Sequence, residues 1–209
     1  MARNIGPTCR LCRRVGEKLF LKGERCFTPM CAVDRRHQPP GQQHTRRRQR
    51  VSDWGLQLIE KQKARFTYGV LEHQFRRYFQ KAQKNPGATG DLLLQLLERR
   101  LDNVVFRLDI AESRAQARQL VNHGHITIGG RTVSIPSYQV KEGQTIGWKE
   151  SSQAREFSKA LAASMPRKAV PPWLAIDKTE LTGRIEHLPQ PDEIDNTIDT
   201  RMIVEFYSK

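Results

Sequence analysis

RRLDNVVFRLDIAESRAQARQLVNHGHITIGGRTVSIPSY, residues 99–138, decides how the rest of the chain is read. Leu101, Val104, Val105 and Leu108 recur at helical spacing and leave Arg100 and Arg107 on other faces of a first helix. Ser113 caps a second helix, answered three residues on by Gln116 in the pattern of a capping box, and Gly124 supplies a left-handed stop. Ile126 and Ile128 then alternate with His125 and Thr127, Gly129-Gly130 makes a two-residue turn, and Val133 and Ile135 alternate on the return. Two helices and a hairpin thus form a small rigid frame for basic side chains.

Working outward, Leu93, Leu97, Leu101, Val104 and Leu108 predict one helix over 91–108. Asn85-Pro86-Gly87 separates it from a helix with Leu71, Phe75, Tyr78 and Phe79 on one stripe, whose helical spacing favours core packing over base stacking. Ser52 or Asp53 caps a helix carrying Leu56 and Ile59. Toward the C-terminus, residues 144–148 read as a strand and 153–164 as a short helix, and Pro166, Pro171 and Pro172 mark a loop before Trp173-Leu174-Ala175-Ile176.

The charge balance points to a polyanion. Thirty-six Lys and Arg against 22 Asp and Glu give a net charge of +14 in 209 residues, a surplus that repels itself in a compact state and is relieved on nucleic acid. It is unevenly spread: net +10 over residues 1–50, +7 over 51–177, and −3 over 178–209. The acidic tail suits a basic protein neighbour better than RNA, and Glu186, Asp192, Glu193, Asp199 and Glu205 are its candidate protein-interface residues. No apolar run reaches the ~20 residues of a membrane span and no signal peptide opens the chain, so no membrane partner and a cytoplasmic location are expected.

All four cysteines fall early, as Cys9-x-x-Cys12 and, thirteen residues on, Cys26-x-x-x-x-Cys31. Two close pairs suit one tetrahedral ion, and Zn(2+) on four thiolates leaves no open position, which makes it structural. A pair of disulfides and four idle thiols are the competing readings; a reducing compartment disfavours the first, and the absence of cysteine from the rest of the sequence disfavours the second. Arg10, Arg13, Arg14 and Arg25 would balance the dianionic centre.

Arg114 and Arg118 sit four apart on the second helix of the opening stretch. Like charges at that spacing cost an isolated helix roughly 0.2–0.5 kcal/mol, so an anion over them is expected, and RNA is the candidate.

The opening stretch resembles the S4-type RNA-binding module. MARNIGPTCRLCRRVGEKLFLKGERC (1–26), SDWGLQLIEKQKARFTYGVLEHQFRRYF (52–79), PPWL (171–174) and VEFYSK (204–209) extend that resemblance, in order, to the S4 family of bacterial small-subunit ribosomal proteins. One departure is Gly129-Gly130 in the hairpin, where Asn-Gly or Asp-Gly would be usual. The resemblance implies an α+β fold. A four-cysteine region over 1–44 precedes a helical domain over 45–96, completed by 178–209, into which the RNA-binding module with its following strand, helix and loop, 97–177, is inserted. Some members of the family lack the cysteines, so the metal is a stabilising device and not the source of function.

By the same resemblance Arg100, Arg107, Ser113, Arg114, Arg118, Gln119 and His125 meet RNA phosphates and sugars, with His123 beside them; Arg100 has an alternative partner in Asp102 or Glu98. Basic clusters extend the candidate interface to Arg3, Arg10, Arg13, Arg14, Lys22, Arg35 and Arg36, to the arm Arg46, Arg47, Arg48 and Arg50, and to Lys61, Lys63, Arg65 and Arg76. His37 and His44 are read as surface or RNA-facing residues.

The function implied is a structural constituent of the small ribosomal subunit. It would bind the five-prime domain of the small-subunit ribosomal RNA at a helix junction, nucleate assembly, and touch the neighbouring protein S5 in support of decoding accuracy. Messenger RNA at its entrance is a further implied partner, and no homo-oligomer is expected. Removing the tail from Thr182 is expected to spare RNA binding while changing fidelity. An enzyme such as a pseudouridine synthase needs a catalytic domain, and nothing outside the module offers one. A zinc-containing DNA-binding regulator shares the knuckle and the charge but lacks a recognition helix with base-reading side chains.

Overall fold

The computed structural model describes residues 4–41, 51–153, 156, 169–177, 181–194 and 197–208. In chain order the described helices are α1 (Thr8–Val15), α2 (Ala32–Arg35), α3 (Asp53–Thr67), α4 (Glu72–Lys84), α5 (Thr89–Glu98), α6 (Leu101–Arg107), α7 (Arg114–Asn122), α8 (Glu150–Gln153) and α9 (Thr200–Tyr207). The strands are β1 (Ile126–Ile128), β2 (Arg131–Thr132), β3 (Thr145–Trp148), β4 (Leu174–Asp177) and β5 (Thr182–Ile185). The fold is α+β, in two compact units: residues 1–93 with 196–209, and residues 94–195.

The first unit is helical. Ser52 Oγ accepts from the Gly55 N–H at 3.2 Å and so opens α3, as its position before an apolar run predicts. Asp199 does the same for α9, accepting from the Arg201 and Met202 N–H groups at 2.9 and 3.4 Å. The aromatic stripe of α4 is core: Phe75 and Phe79 are buried, and the Tyr207 ring of α9 lies 4.5 Å from Phe79 and 6.4 Å from Phe75. Trp54 on α3 meets Phe206 at 6.0 Å. Leu56 of α3 is exposed.

The second unit packs α6 and α7 on an antiparallel sheet of order β2-β1-β3-β5-β4. Its core joins Leu101, Val104, Val105 and Leu108 to Ala117, Leu120 and Val121, and both groups to Ile126, Ile146, Trp173 and Ile185. Gly129 and Gly130 have φ of 54° and 80°, the left-handed pair that a tight hairpin turn needs. Gly183 lies in the sheet because there is no room for a β-carbon beside the Leu108 side chain.

Three expectations are corrected. The predicted helix over 91–108 is two helices, because Arg100 is extended (φ −69°, ψ 136°) and the segment pairs with the chain after the hairpin. There Leu101 N–H donates to Tyr138 O and Val140 N–H to Arg99 O, each at 2.9 Å. The return strand of the hairpin is only Arg131–Thr132, and Ile135 is exposed. The loop expected before Trp173 is kept and leads into a strand, β4. Finally, the segment completing the helical domain starts near residue 196 and not 178, since β5 hydrogen-bonds between β3 and β4. Cutting the tail at Thr182 would therefore break the sheet of the second unit. The short helix expected over 153–164 falls almost wholly outside the described residues.

Candidate nucleic-acid interface

Ser113 Oγ accepts from the Gln116 N–H at 3.3 Å and sets the start of α7. The capping box is modified: Gln116 Oε1 takes the Glu112 N–H at 2.8 Å, one residue ahead of the expected donor. This start fixes which turns of α7 face α6. Arg118 points inward, 4 % exposed, and donates to Asp102 Oδ2 at 3.3 Å. Arg100, wholly buried, clamps the same carboxylate through Nε at 3.0 Å and Nη2 at 2.6 Å. Both arginines are thereby removed from the list of RNA contacts, and Arg100 adopts its alternative partner. The anion that relieves the repulsion between Arg114 and Arg118 includes Asp102, a neighbour within the fold.

A second carboxylate organises the outer layer. Glu98, 1 % exposed, accepts from Arg107 Nε and Nη2 at 3.1 and 2.8 Å and from Asn103 Nδ2 at 2.7 Å. Asn103 Oδ1 in turn accepts from Arg114 Nε at 2.8 Å, and the Arg114 guanidinium lies 4.4 Å from the Phe106 ring centroid. Arg107 and Arg114 are half-buried, so each is held along part of its length while part remains at the surface. Gln119 and His123 are exposed; His125 is half-buried, its Nδ1 2.9 Å from Ser152 Oγ and its ring 6.0 Å from that of His123. Arg131 at the hairpin tip and Lys149 after β3 are exposed cations of this unit that were not among the expected contacts. The signal for Arg131 was its place directly after the Gly-Gly turn.

In the first unit, Lys61 and Lys63 are corrected as well. Each side chain is 5 % exposed; Lys61 bonds Glu72 at 2.9 Å, and Lys63 meets Glu17 at 2.7 Å and Glu60 at 3.5 Å. Arg65 is half-buried, 3.3 Å from Glu72 and stacked over Phe66. Arg13 donates to Gln38 O and Pro39 O at 2.9 and 3.3 Å. Arg10, Arg14, Lys22, Arg35, Arg36, His37 and Arg76 are exposed. Arg3, His44 and the arm Arg46, Arg47, Arg48 and Arg50 lie outside the described residues.

Part of the acidic tail has internal work. Glu205 accepts from Gln57 Nε2 at 2.8 Å, Asp199 caps α9, and Glu193 accepts from the Gln190 N–H at 3.0 Å and lies 2.7 Å from His187. The Gln190 N–H, with His187, holds the Glu193 carboxyl below its ordinary range. Asp192 and Glu186 are exposed, the latter 4.0 Å from Arg184.

Cys9, Cys12, Cys26 and Cys31 are free thiols on the wall of one small pocket. Burial pushes the Cys12 thiol up, the Leu19 N–H opposes it, and the three other cysteines add to the rise, a sign of their mutual proximity. The donor set therefore fits one thiophilic ion in kind and number. Among the described residues, however, no group of three His, Cys, Asp or Glu side chains has the arrangement of a metal site. Among the same residues no helix is long and apolar enough to cross a membrane.

A helical unit, a two-helix module on an antiparallel sheet and a surface of partly anchored arginines define an S4-domain protein. Residues 3–98 match the family model of the ribosomal protein S4/S9 N-terminal domain, and residues 99–146 match that of the S4 domain. The small ribosomal subunit protein uS4 of Pelotomaculum thermopropionicum and uS4A of Symbiobacterium thermophilum are each 53 % identical over 209 residues, covering both chains completely. The uS4 of Desulforamulus reducens is 52 % identical over the same length. The chain belongs to the uS4 family of small ribosomal subunit proteins.

Proposed function

We propose that this chain is a non-catalytic constituent of the small ribosomal subunit in the cytoplasm and binds small-subunit ribosomal RNA. Its full-length similarity to uS4 proteins carries the reading. Exposed cations in both units agree with recognition of RNA by shape and backbone, since the deep groove of A-form RNA hides its base edges. The target is the five-prime domain at a helix junction, where binding early in assembly holds converging helices in place. The acidic side chains of the tail suit the basic protein S5, and that contact would tune decoding accuracy; messenger RNA passing its entrance is a further ligand of the exposed basic surface.

Equilibrium binding to the isolated five-prime domain, with unrelated structured RNA and duplex DNA as competitors, tests the reading. With six to ten phosphates contacted, affinity falls by about 10³–10⁵ between 50 and 200 mM salt, and binding to the target outlasts both competitors. Equal displacement by every polyanion would overturn it, and preferential displacement by duplex DNA would point to a DNA-binding regulator.

The four cysteines are further proposed to hold one structural zinc, which would tie the two cysteine pairs together. Support comes from four uncrosslinked thiols on one pocket wall. Native mass spectrometry is expected to give one zinc per chain, lost in the Cys9→Ser variant together with thermal stability of the first unit; a metal-free chain of undiminished stability would refute it.

A further inference from the structure

Phe20 and Phe27 of the first unit stack on each other at the surface, their ring centroids 5.0 Å apart and their planes 26° from parallel. Phe20 is 42 % exposed and Phe27 68 %. The pair is the reverse of the α4 stripe, whose rings are spent on the core. Two large apolar rings side by side in water call for a partner more than one exposed ring does. Phe20 is also held at φ 49°, a left-handed conformation that a bulky residue avoids and that places its ring against Phe27 instead of in the core. The chain between the rings is tied down. Gly23–Cys26 forms one turn of 3-10 helix, the Lys22 N–H donates to Cys26 Sγ at 3.4 Å, the Phe27 N–H to Glu24 O at 2.9 Å, and Thr28 Oγ1 to Arg25 O at 3.1 Å. Leu19, next to Phe20, anchors the loop by packing with Cys12 and Phe66.

We propose that the Phe20–Phe27 pair is a stacking platform for one unpaired base of the bound RNA. Charge selects this occupant. Lys22 and Arg25, both exposed, lie between the two phenylalanines in the chain, three apart around the 3-10 turn and so on one side of it, where they meet the phosphates that flank the stacked base. Residues 4–41 carry eight Lys and Arg against three Asp and Glu. Two of those three, Glu17 and Asp34, are already matched by Lys63 at 2.7 Å and Lys18 at 2.6 Å. A basic protein surface would be repelled by this loop, and an apolar one would cover the rings while leaving the cations unanswered. A nucleotide brings a π-face and a negative charge together, and the platform accepts any of the four bases because each has that face. The inference rests on the RNA-binding reading above and adds a place of base stacking to it.

Equilibrium binding of the full-length chain to the isolated five-prime domain, with Phe27→Leu and Phe27→Tyr beside the wild type, provides the test. Leucine keeps the apolar bulk and removes the π-face; tyrosine keeps the π-face. Phe27→Leu is expected to bind about tenfold more weakly, as for loss of one base-stacking aromatic, while Phe27→Tyr stays within about twofold of the wild type. The salt dependence is the same in all three, because no cation is removed. Ultraviolet irradiation of the wild-type complex, followed by tandem mass spectrometry, is expected to attach a nucleotide to Phe20 or Phe27, and this decides the matter if Phe27→Leu lowers the melting temperature. Wild-type affinity in a folded Phe27→Leu chain, or an equal loss in Phe27→Leu and Phe27→Tyr, would overturn the platform, the first outcome leaving the ring pair to a protein neighbour. Weak, unselective binding by the wild type would instead overturn the RNA-binding reading on which the platform rests.

Discussion

Asp102 shows how much one carboxylate decides. It neutralises two arginines, Arg100, which is wholly buried, and Arg118, which is 4 % exposed. Removing one partner of a buried ion pair leaves an uncompensated charge, at a cost of about 3–5 kcal/mol. Asp102→Ala is therefore expected to lower stability by about that amount in urea denaturation, and Asp102→Asn, which keeps some hydrogen bonding, by less. A loss below about 1 kcal/mol would mean that other neighbours carry the pair. The candidate site was legible at this scale only in part. The residue types and spacing of Arg100, Arg107, Arg114 and Arg118 marked a charged module correctly, but spacing along α7 does not say which arginine meets a carboxylate from α6. Arg118 turns inward because its turn of α7 faces α6, a fact of packing that no local pattern in 113–122 expresses.

At the scale of the element, α9 is held to the first unit by an aromatic contact and by polar bonds at Glu205 and Tyr207. Tyr207 Oη donates to Glu72 Oε1 at 2.9 Å, and Glu72 also takes Lys61. Burial works against the Glu72 charge; hydrogen bonds from Lys61 and Tyr207, with the charges of Lys61 and Arg65, overcome it and hold the carboxyl below its ordinary 4.5. A depressed carboxyl contributes stability that is complete above its unfolded value and lost as pH falls through the folded one. Tyr207→Phe is expected to cost about 1 kcal/mol at pH 7, modest because Glu72 is partly exposed, and the wild-type advantage should shrink below about pH 4.5. Thermal melts of both proteins across pH 3–7 would measure it. In the sheet, Gly183→Ala forces a methyl group onto Leu108 and is expected to cost about 1–3 kcal/mol, read by denaturant unfolding. Capped helices and the Gly129-Gly130 turn were legible because their signals are local. The break at Arg100 was not, since Leu93, Leu97, Leu101, Val104 and Leu108 keep helical spacing across it and the competing bonds come from residues 138–140.

For the whole molecule, the charge asymmetry between front and tail was readable from composition, whereas the domain boundary was not. Residues 178–195 share the acidic character of the tail but contribute β5 to the sheet of the second unit. A chain ending at residue 195 is expected to keep that sheet and to lose α9, so Trp148 and Trp173 remain in a folded setting while Trp54 loses Phe206. A chain ending at residue 181 loses β5 as well. Single-tryptophan variants of both truncations, followed by fluorescence in urea, would separate the two outcomes; retained burial of Trp173 in the shorter chain would refute the assignment of β5. The same arrangement bears on how the protein is made. β4, β5 and α9, which close the two units, all follow residue 173, so a nascent chain emerging from a translating ribosome carries both apolar interiors open until its last stretch appears. Early termination then releases no partly useful product: it releases exposed core, the feature by which chaperones and proteases recognise unfinished polypeptides.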